Sequence, residues 1–196
     1  RIPSCVPFCV ARIIVKPTSV FDSFLRKQIR GFPYDSRLFA NPVIQELPLL
    51  MAGVPTQEMM GTERTYLVLD TNIVLEIFYW CDARVQDLMH ELSSGALCAL
   101  VSIETLAELA DVLMRTPFNC NAEQTQELLK CYLALSCQAS VAADACAVRC
   151  KDVDDQKFLD LAARYACPLI TRDKHLLKVA KKMRRFGVRV TTPEGL

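Results

Sequence analysis

The sequence predicts an α/β domain on a parallel sheet, and three observations carry that prediction. Short apolar runs recur at Leu67–Leu69, Leu97–Val101, Pro168–Thr171 and Val188–Thr192. Stretches with helical apolar spacing separate them, as parallel strands joined by right-handed crossovers require. Two of the runs lead into an aspartate, Asp70 and Asp173, at the carboxyl end where open α/β sheets place their chemistry.

The elements follow in order. A buried strand over Leu67–Leu69 leads to a helix over Thr71–Trp80. A second helix spans Arg84–Ser94, with Val85, Leu88, Met89 and Leu92 on one face and Gly95 closing it. After the strand Leu97–Val101, Ser102 is placed to cap a helix over Ile103–Arg115, which Thr116-Pro117 ends. Asn121 caps a helix running to about Leu135, and the apolar stretch Ala145–Val148 reads as a further strand. A helix over Val153–Ala166, the strand Pro168–Thr171, a helix over Lys174–Met183 and the strand Val188–Thr192 complete the chain.

Residues 1–62 read differently. They hold seven basic side chains against four acids, and seven of the ten prolines, so no helical or strand period is sustained. Three origins fit: a basic transit segment, a disordered extension, or upstream sequence read in frame before initiation at Met59 or Met60. The last is preferred, so residues 63–196 are expected to be the domain and a chain beginning at Met60 to fold and function.

A hydrophobic share of 52% supplies a core, and a net charge of +1 gives no global cationic field. The ten cysteines form no C-x-x-C pair, and several, such as Cys98, Cys131 and Cys167, lie inside apolar stretches. They read as free thiols of a reduced, cytoplasmic protein. No apolar run is long enough for a membrane span.

Four acids stand out: Asp70, Glu108, Asp155 and Asp173. With no Cys/His ligand pattern beside them, they read as a site for a hard divalent cation. Each has a plainer reading as well. Asp70 and Asp173 are good N-caps, and Asp152, Asp154 and Asp155 suit the first turn of a helix. Asp155, however, shares a helical line with Leu159, Ala162 and Ala166, and Asp154 one with Phe158, Leu161 and Tyr165, and an inward carboxylate needs a compensating charge. The helix alone does not choose Glu108 over Glu104 or Asp111. Asn72 reads as a turn residue or as a support for a ligand, and Thr71 and Thr171 as groups that orient ligands or a phosphate. Arg172 and Lys174, with Lys178, Lys181, Lys182, Arg184 and Arg185 beyond, read first as an exposed helix face and second as phosphate contacts. His90 and His175 lack metal-ligand spacing.

The segments Leu67–Asn72, Thr105–Leu113, Asp152–Ala162 and Leu169–Leu177 together resemble the PIN-domain nucleases, and especially the toxins of toxin–antitoxin pairs. The resemblance covers about residues 64–196 and leaves 1–62 aside. It implies a three-layer α/β/α sandwich with a central parallel sheet. It also implies a metal-dependent endoribonuclease using Mg²⁺ or Mn²⁺, with Asp70, Glu108, Asp155 and Asp173 as catalytic and metal-binding residues. Asp152 is an alternative at the third position. An RNA substrate, a cognate antitoxin and a homodimer follow from the same resemblance. Leu75, Ile77, Phe78 and Trp80 are candidate partner contacts, with core packing the preferred reading. The rival within the family is a catalytically degenerate module that binds RNA or protein. A haloacid-dehalogenase-type phosphatase needs an acid where this chain has Asn72, and the acid and lysine order of a receiver domain is missing.

Overall fold

The computed structural model describes residues 41–60, 64–140 and 143–196. Five parallel strands form one sheet in the order β3-β2-β1-β4-β5. These are β1 (Thr65–Leu69), β2 (Leu97–Val101), β3 (Ser136–Gln138), β4 (Leu169–Ile170) and β5 (Val190–Thr191). The helices are α1 (Pro42–Met51), α2 (Thr71–Phe78), α3 (Gln86–Ser94), α4 (Ile103–Met114), α5 (Ala122–Leu133), α6 (Gln156–Tyr165), α7 (Lys174–Lys178) and α8 (Ala180–Met183).

The strand period of two assigns side chains to opposite layers. Leu67, Leu69, Ala99 and Val101 pack with residues of α1 to α5, while Val68, Cys98, Leu100 and Cys137 pack with residues of α6 to α8. Helices therefore cover both faces, the three-layer α/β/α sandwich that was expected. The caps at Ser102 and Asn121 are both capping boxes, closed by Thr105 and Gln124, and Gly95 ends α3 in the left-handed region at φ +77°. The described cysteines are free thiols. Among the described residues, no helix is long and apolar enough to cross a membrane.

Several elements differ from expectation. Helix α1 lies inside the segment assigned to the N-terminal extension, yet it buries Val43, Leu47 and Met51 in the main core. Asn41 caps it through Val43 N at 3.0 Å, and Pro42 sits in its first turn, where no N–H is required. Beyond it, Thr56 bridges Gln138 of the edge strand β3, and Gln138 Nε2 donates to the Val54 carbonyl at 2.8 Å. This packing extends the folded unit upstream of residue 63. Expectations about residues 1–40 lie outside the described residues.

Ala145–Val148 is not a strand. Its backbone is satisfied by side chains of α6 instead of a ladder: Asp160 accepts from Cys146 N at 2.8 Å, and Gln156 Nε2 donates to the Val148 carbonyl at 3.0 Å. The strand that occupies the β3 position is Ser136–Gln138, directly after the helix expected to run to about Leu135 and in a stretch given no element from sequence. Helix α6 begins at Gln156 rather than Val153, and the last helix breaks at Val179.

Candidate active site

The carboxyl ends of β1 and β4 lie side by side. Leu69 pairs with Ile170, and Asp70 N donates to the Ile170 carbonyl at 3.0 Å. That register sets Asp70 against Thr171. The Thr171 hydroxyl donates to Asp70 Oδ2 at 2.6 Å and accepts from Asp173 N at 2.8 Å. One fully buried hydroxyl thus ties two of the acids to each other.

Asp70 occupies the N-cap position of α2, but its side chain makes no capping bond and turns to Thr171. It is 2% exposed. Burial pushes its carboxyl up to about 6, and the nearby charges of Glu108 and Asp173 add to the rise against the Thr171 hydroxyl. Asp173 does cap α7: its Oδ1 accepts from His175 N at 2.6 Å and Leu176 N at 3.2 Å. His175, which lacks metal-ligand spacing in the sequence, places Nδ1 3.9 Å from Asp173 Oδ1.

Glu108 is selected from the polar face of α4 by Thr71, whose hydroxyl donates to Glu108 Oε1 at 2.7 Å. The two threonines after β1 and β4 therefore orient carboxylates, the first of the two roles expected for them. Asp155 stands at the N-cap of α6 with no capping bond. Burial, then the charges of Asp70, Asp152, Asp173 and Glu108, push its carboxyl up to about 7. That mutual repulsion ties Asp155 electrostatically to Asp70, Glu108 and Asp173. Asp152 and Asp154 are exposed, and Asp152 is occupied locally by Asp154 N at 3.0 Å.

The remaining predicted residues fall around this group. Asn72 is exposed at the start of α2. Arg172 faces away from the acids into its own ion-pair cluster. Its Nε donates to both oxygens of buried Glu76 at 2.8 and 2.9 Å, and its other nitrogens hold Glu194. Lys174, Lys178, Lys181, Lys182, Arg184 and Arg185 are all exposed. Leu75, Ile77 and Phe78 are core, whereas Trp80 is 51% exposed and stacks with Phe118.

Sequence reasoning missed Lys157. From the first turn of α6 its ammonium pairs with Glu108 Oε2 on α4, and it also reaches the Asp154 carbonyl. A single base two positions beyond Asp155, directly after the acids Asp152, Asp154 and Asp155, was the available signal. Among the described residues, no three acid, histidine or cysteine side chains stand ready as a coordination shell. The donor set is nonetheless oxygen-only, partly buried and short of positive charge, which suits a hard dication.

A parallel α/β sandwich with partly buried acids brought together at the carboxyl edge of its sheet defines a candidate acid-rich site of the kind that hard cations occupy. A family model described as the PIN domain matches residues 66–175, a span that includes Asp70, Glu108, Asp155 and Asp173. The chain belongs to the PIN-domain family, whose members are in general nucleases that use divalent metal ions. No curated protein matches the chain.

Proposed function

We propose that this PIN domain is a Mg²⁺- or Mn²⁺-dependent endoribonuclease, with Asp70, Asp155, Asp173 and Glu108 holding the metal. The observation that carries the reading is Asp70. It is a buried acid turned away from its helix cap, facing other acids, with its carboxyl driven up to about 6. A folded protein retains such uncompensated charge where a cation is to be bound.

A divalent cation bound there supplies charge neutralisation on a phosphodiester and lowers the pKa of a water nucleophile. The chain's own residues set the geometry. Thr171 fixes Asp70 relative to Asp173, Thr71 fixes Glu108, and α6 delivers Asp155 from the far side. Asp70 and Asp155 are the most direct ligands, with Glu108 and Asp173 completing the set. Asp152 is the alternative at the third position. The exposed bases of α7 and α8 are the cationic surface nearest Asp173 for a nucleic-acid backbone.

The finer assignment, a cytoplasmic toxin working with RNA as substrate, a cognate antitoxin and a homodimeric partner, rests on the resemblance to that subgroup. The second reading, a degenerate module that only binds RNA or protein, is favoured by one observation: the Lys157 ammonium already sits on Glu108. Purified full-length chain is expected to cleave single-stranded RNA with Mg²⁺ or Mn²⁺ and to stop on EDTA treatment. Asp70→Asn is expected to abolish cleavage while the protein stays folded. Intact RNA under every metal condition, with no Mn²⁺-linked rise in melting temperature, would establish the binding module instead.

A further inference from the structure

Among the described residues, Lys157 is the lysine that an ion pair places on a member of the acid group. Its Nζ pairs with Glu108 Oε2, an oxygen fully shielded from solvent that makes no hydrogen bond. The pair spans two elements, α6 and α4, whose contact brings Asp155 and Glu108 to the same edge. The Lys157 and Glu108 side chains are each 22% exposed, so the pair is partly open to solvent. The ammonium has a second contact, since Nζ lies 5.4 Å from the centre of the Phe158 ring. The remaining acids are met differently: Asp70 has a hydroxyl, Asp173 has backbone N–H groups and the His175 ring at 3.9 Å, and Asp155 meets chiefly other acids.

We propose that the Lys157 ammonium is a tethered counter-ion that holds Glu108 in the metal-free protein and must leave it before Glu108 serves a divalent cation. The inference rests on the metal-site reading above and deepens it. It accounts for an acid group that is rich in oxygen donors yet not assembled as a coordination shell. An ammonium bound to one carboxylate removes that donor and adds a positive charge that repels an incoming dication. Lys157 is accordingly a positioning residue that acts through Glu108. It weakens cation binding and stabilises the empty pocket.

A purely structural ion pair between α4 and α6 predicts something else, namely destabilisation that persists whether or not metal is bound. The test uses the full chain with Mn²⁺ as the probe. Isothermal titration gives the affinity, and thermal melts in EDTA and at saturating Mn²⁺ give the stability. Lys157→Met is expected to melt lower in EDTA, to recover at saturating Mn²⁺, and to bind Mn²⁺ roughly three- to tenfold tighter. That is the scale of a partly exposed ion pair that no longer has to be broken. Lys157→Arg, which keeps the charge, is expected to stay near wild type in both measurements and guards against a folding artefact in the first variant. Wild-type protein that binds Mn²⁺, with Lys157→Met binding no tighter or staying destabilised at saturation, overturns this inference alone. Absence of Mn²⁺ binding in wild type and both variants overturns the metal reading and this inference together.

Discussion

Two groups of acids lie a few residues apart near the carboxyl edge of the sheet, and the chain treats them oppositely. Buried Glu76 on α2 is met by both oxygens with Arg172, and Arg172 also holds Glu194, drawing its carboxyl down to about 2. Asp70, six residues before Glu76, is met by a hydroxyl and, among the described residues, no cation, and its carboxyl is driven up to about 6, with Asp155 up to about 7. The same short stretch thus contains a neutralised acid cluster and an unneutralised one. A planar guanidinium was available at Arg172, directly between Thr171 and Asp173, and the structure spends it on Glu76. The contrast teaches that the negative surplus at the site is a feature of this fold and not a shortage of bases.

The comparison breaks most severely if the neutralised side loses its cation. Arg172→Met leaves Glu76 buried without a partner, and losing one member of such a pair typically destabilises by about 3–5 kcal/mol. Urea denaturation should show that loss, and a change below about 1 kcal/mol would mean the triad is ornamental. On the unneutralised side the sign reverses. Asp70→Asn removes a charge whose folded state disfavours ionisation, so metal-free protein should gain up to about 3 kcal/mol at pH 7. Cleavage by the same variant should fall by at least about 10²-fold, since a lost ligand forfeits several kcal/mol of charge stabilisation.

The pH dependence sharpens the contrast. Asp70 and Asp155 both have folded values raised above their ordinary 3.8. Their contribution to stability is therefore fully present below about pH 4 and is lost as pH rises through about 6 for Asp70 and about 7 for Asp155. Metal-free protein should melt progressively lower across that window, with the Asp155 share reduced because that carboxyl is only half buried. Mn²⁺ should raise the melting temperature more at pH 7.5 than at pH 5, where protons already occupy the acids. An equal Mn²⁺ effect at both values would place the cation elsewhere.

How much of this was legible in the sequence depended on whether local pattern or tertiary contact decided each position. Asp70 and Asp173 were legible because Asp70 follows an apolar run directly and Asp173 follows one after Arg172, and a buried parallel strand leaves few other places for an acid. Glu108 was not legible from its helix, since Glu104, Glu108 and Asp111 share the polar face; its selection by Thr71 is a contact across 37 residues. Asp155 emerged over Asp152 and Asp154 because α6 starts later than its apolar spacing suggests, which puts Asp155 alone at the junction. Helix α1 was hidden by its prolines, although Asn41-Pro42 is a helix-start signal and Val43, Leu47 and Met51 keep a period of four. The stretch at β3 has three residues and one cysteine, too little for a period of two to show. Arg172 was read as a possible phosphate contact because its partner Glu76 lies 96 residues away in sequence.

The smallest expected effect tests the hydroxyl that stands in for a cation beside Asp70. Thr171→Val keeps the volume and removes the Oγ1 that bonds Asp70 Oδ2 and receives Asp173 N. Metal-free stability should fall by about 1–2 kcal/mol, because a hydrogen bond to a buried carboxylate is lost and one N–H is left unpaired. The Asp70 carboxyl should move higher still, since the Thr171 hydroxyl that donates to it is gone, and the melting curve should bend at correspondingly higher pH. Mn²⁺ affinity should weaken because Asp70 and Asp173 are no longer held in register. If Thr171→Val leaves both the pH profile and Mn²⁺ affinity unchanged, the two acids are positioned by the strand ends alone, and the hydroxyl bridge is incidental to the site.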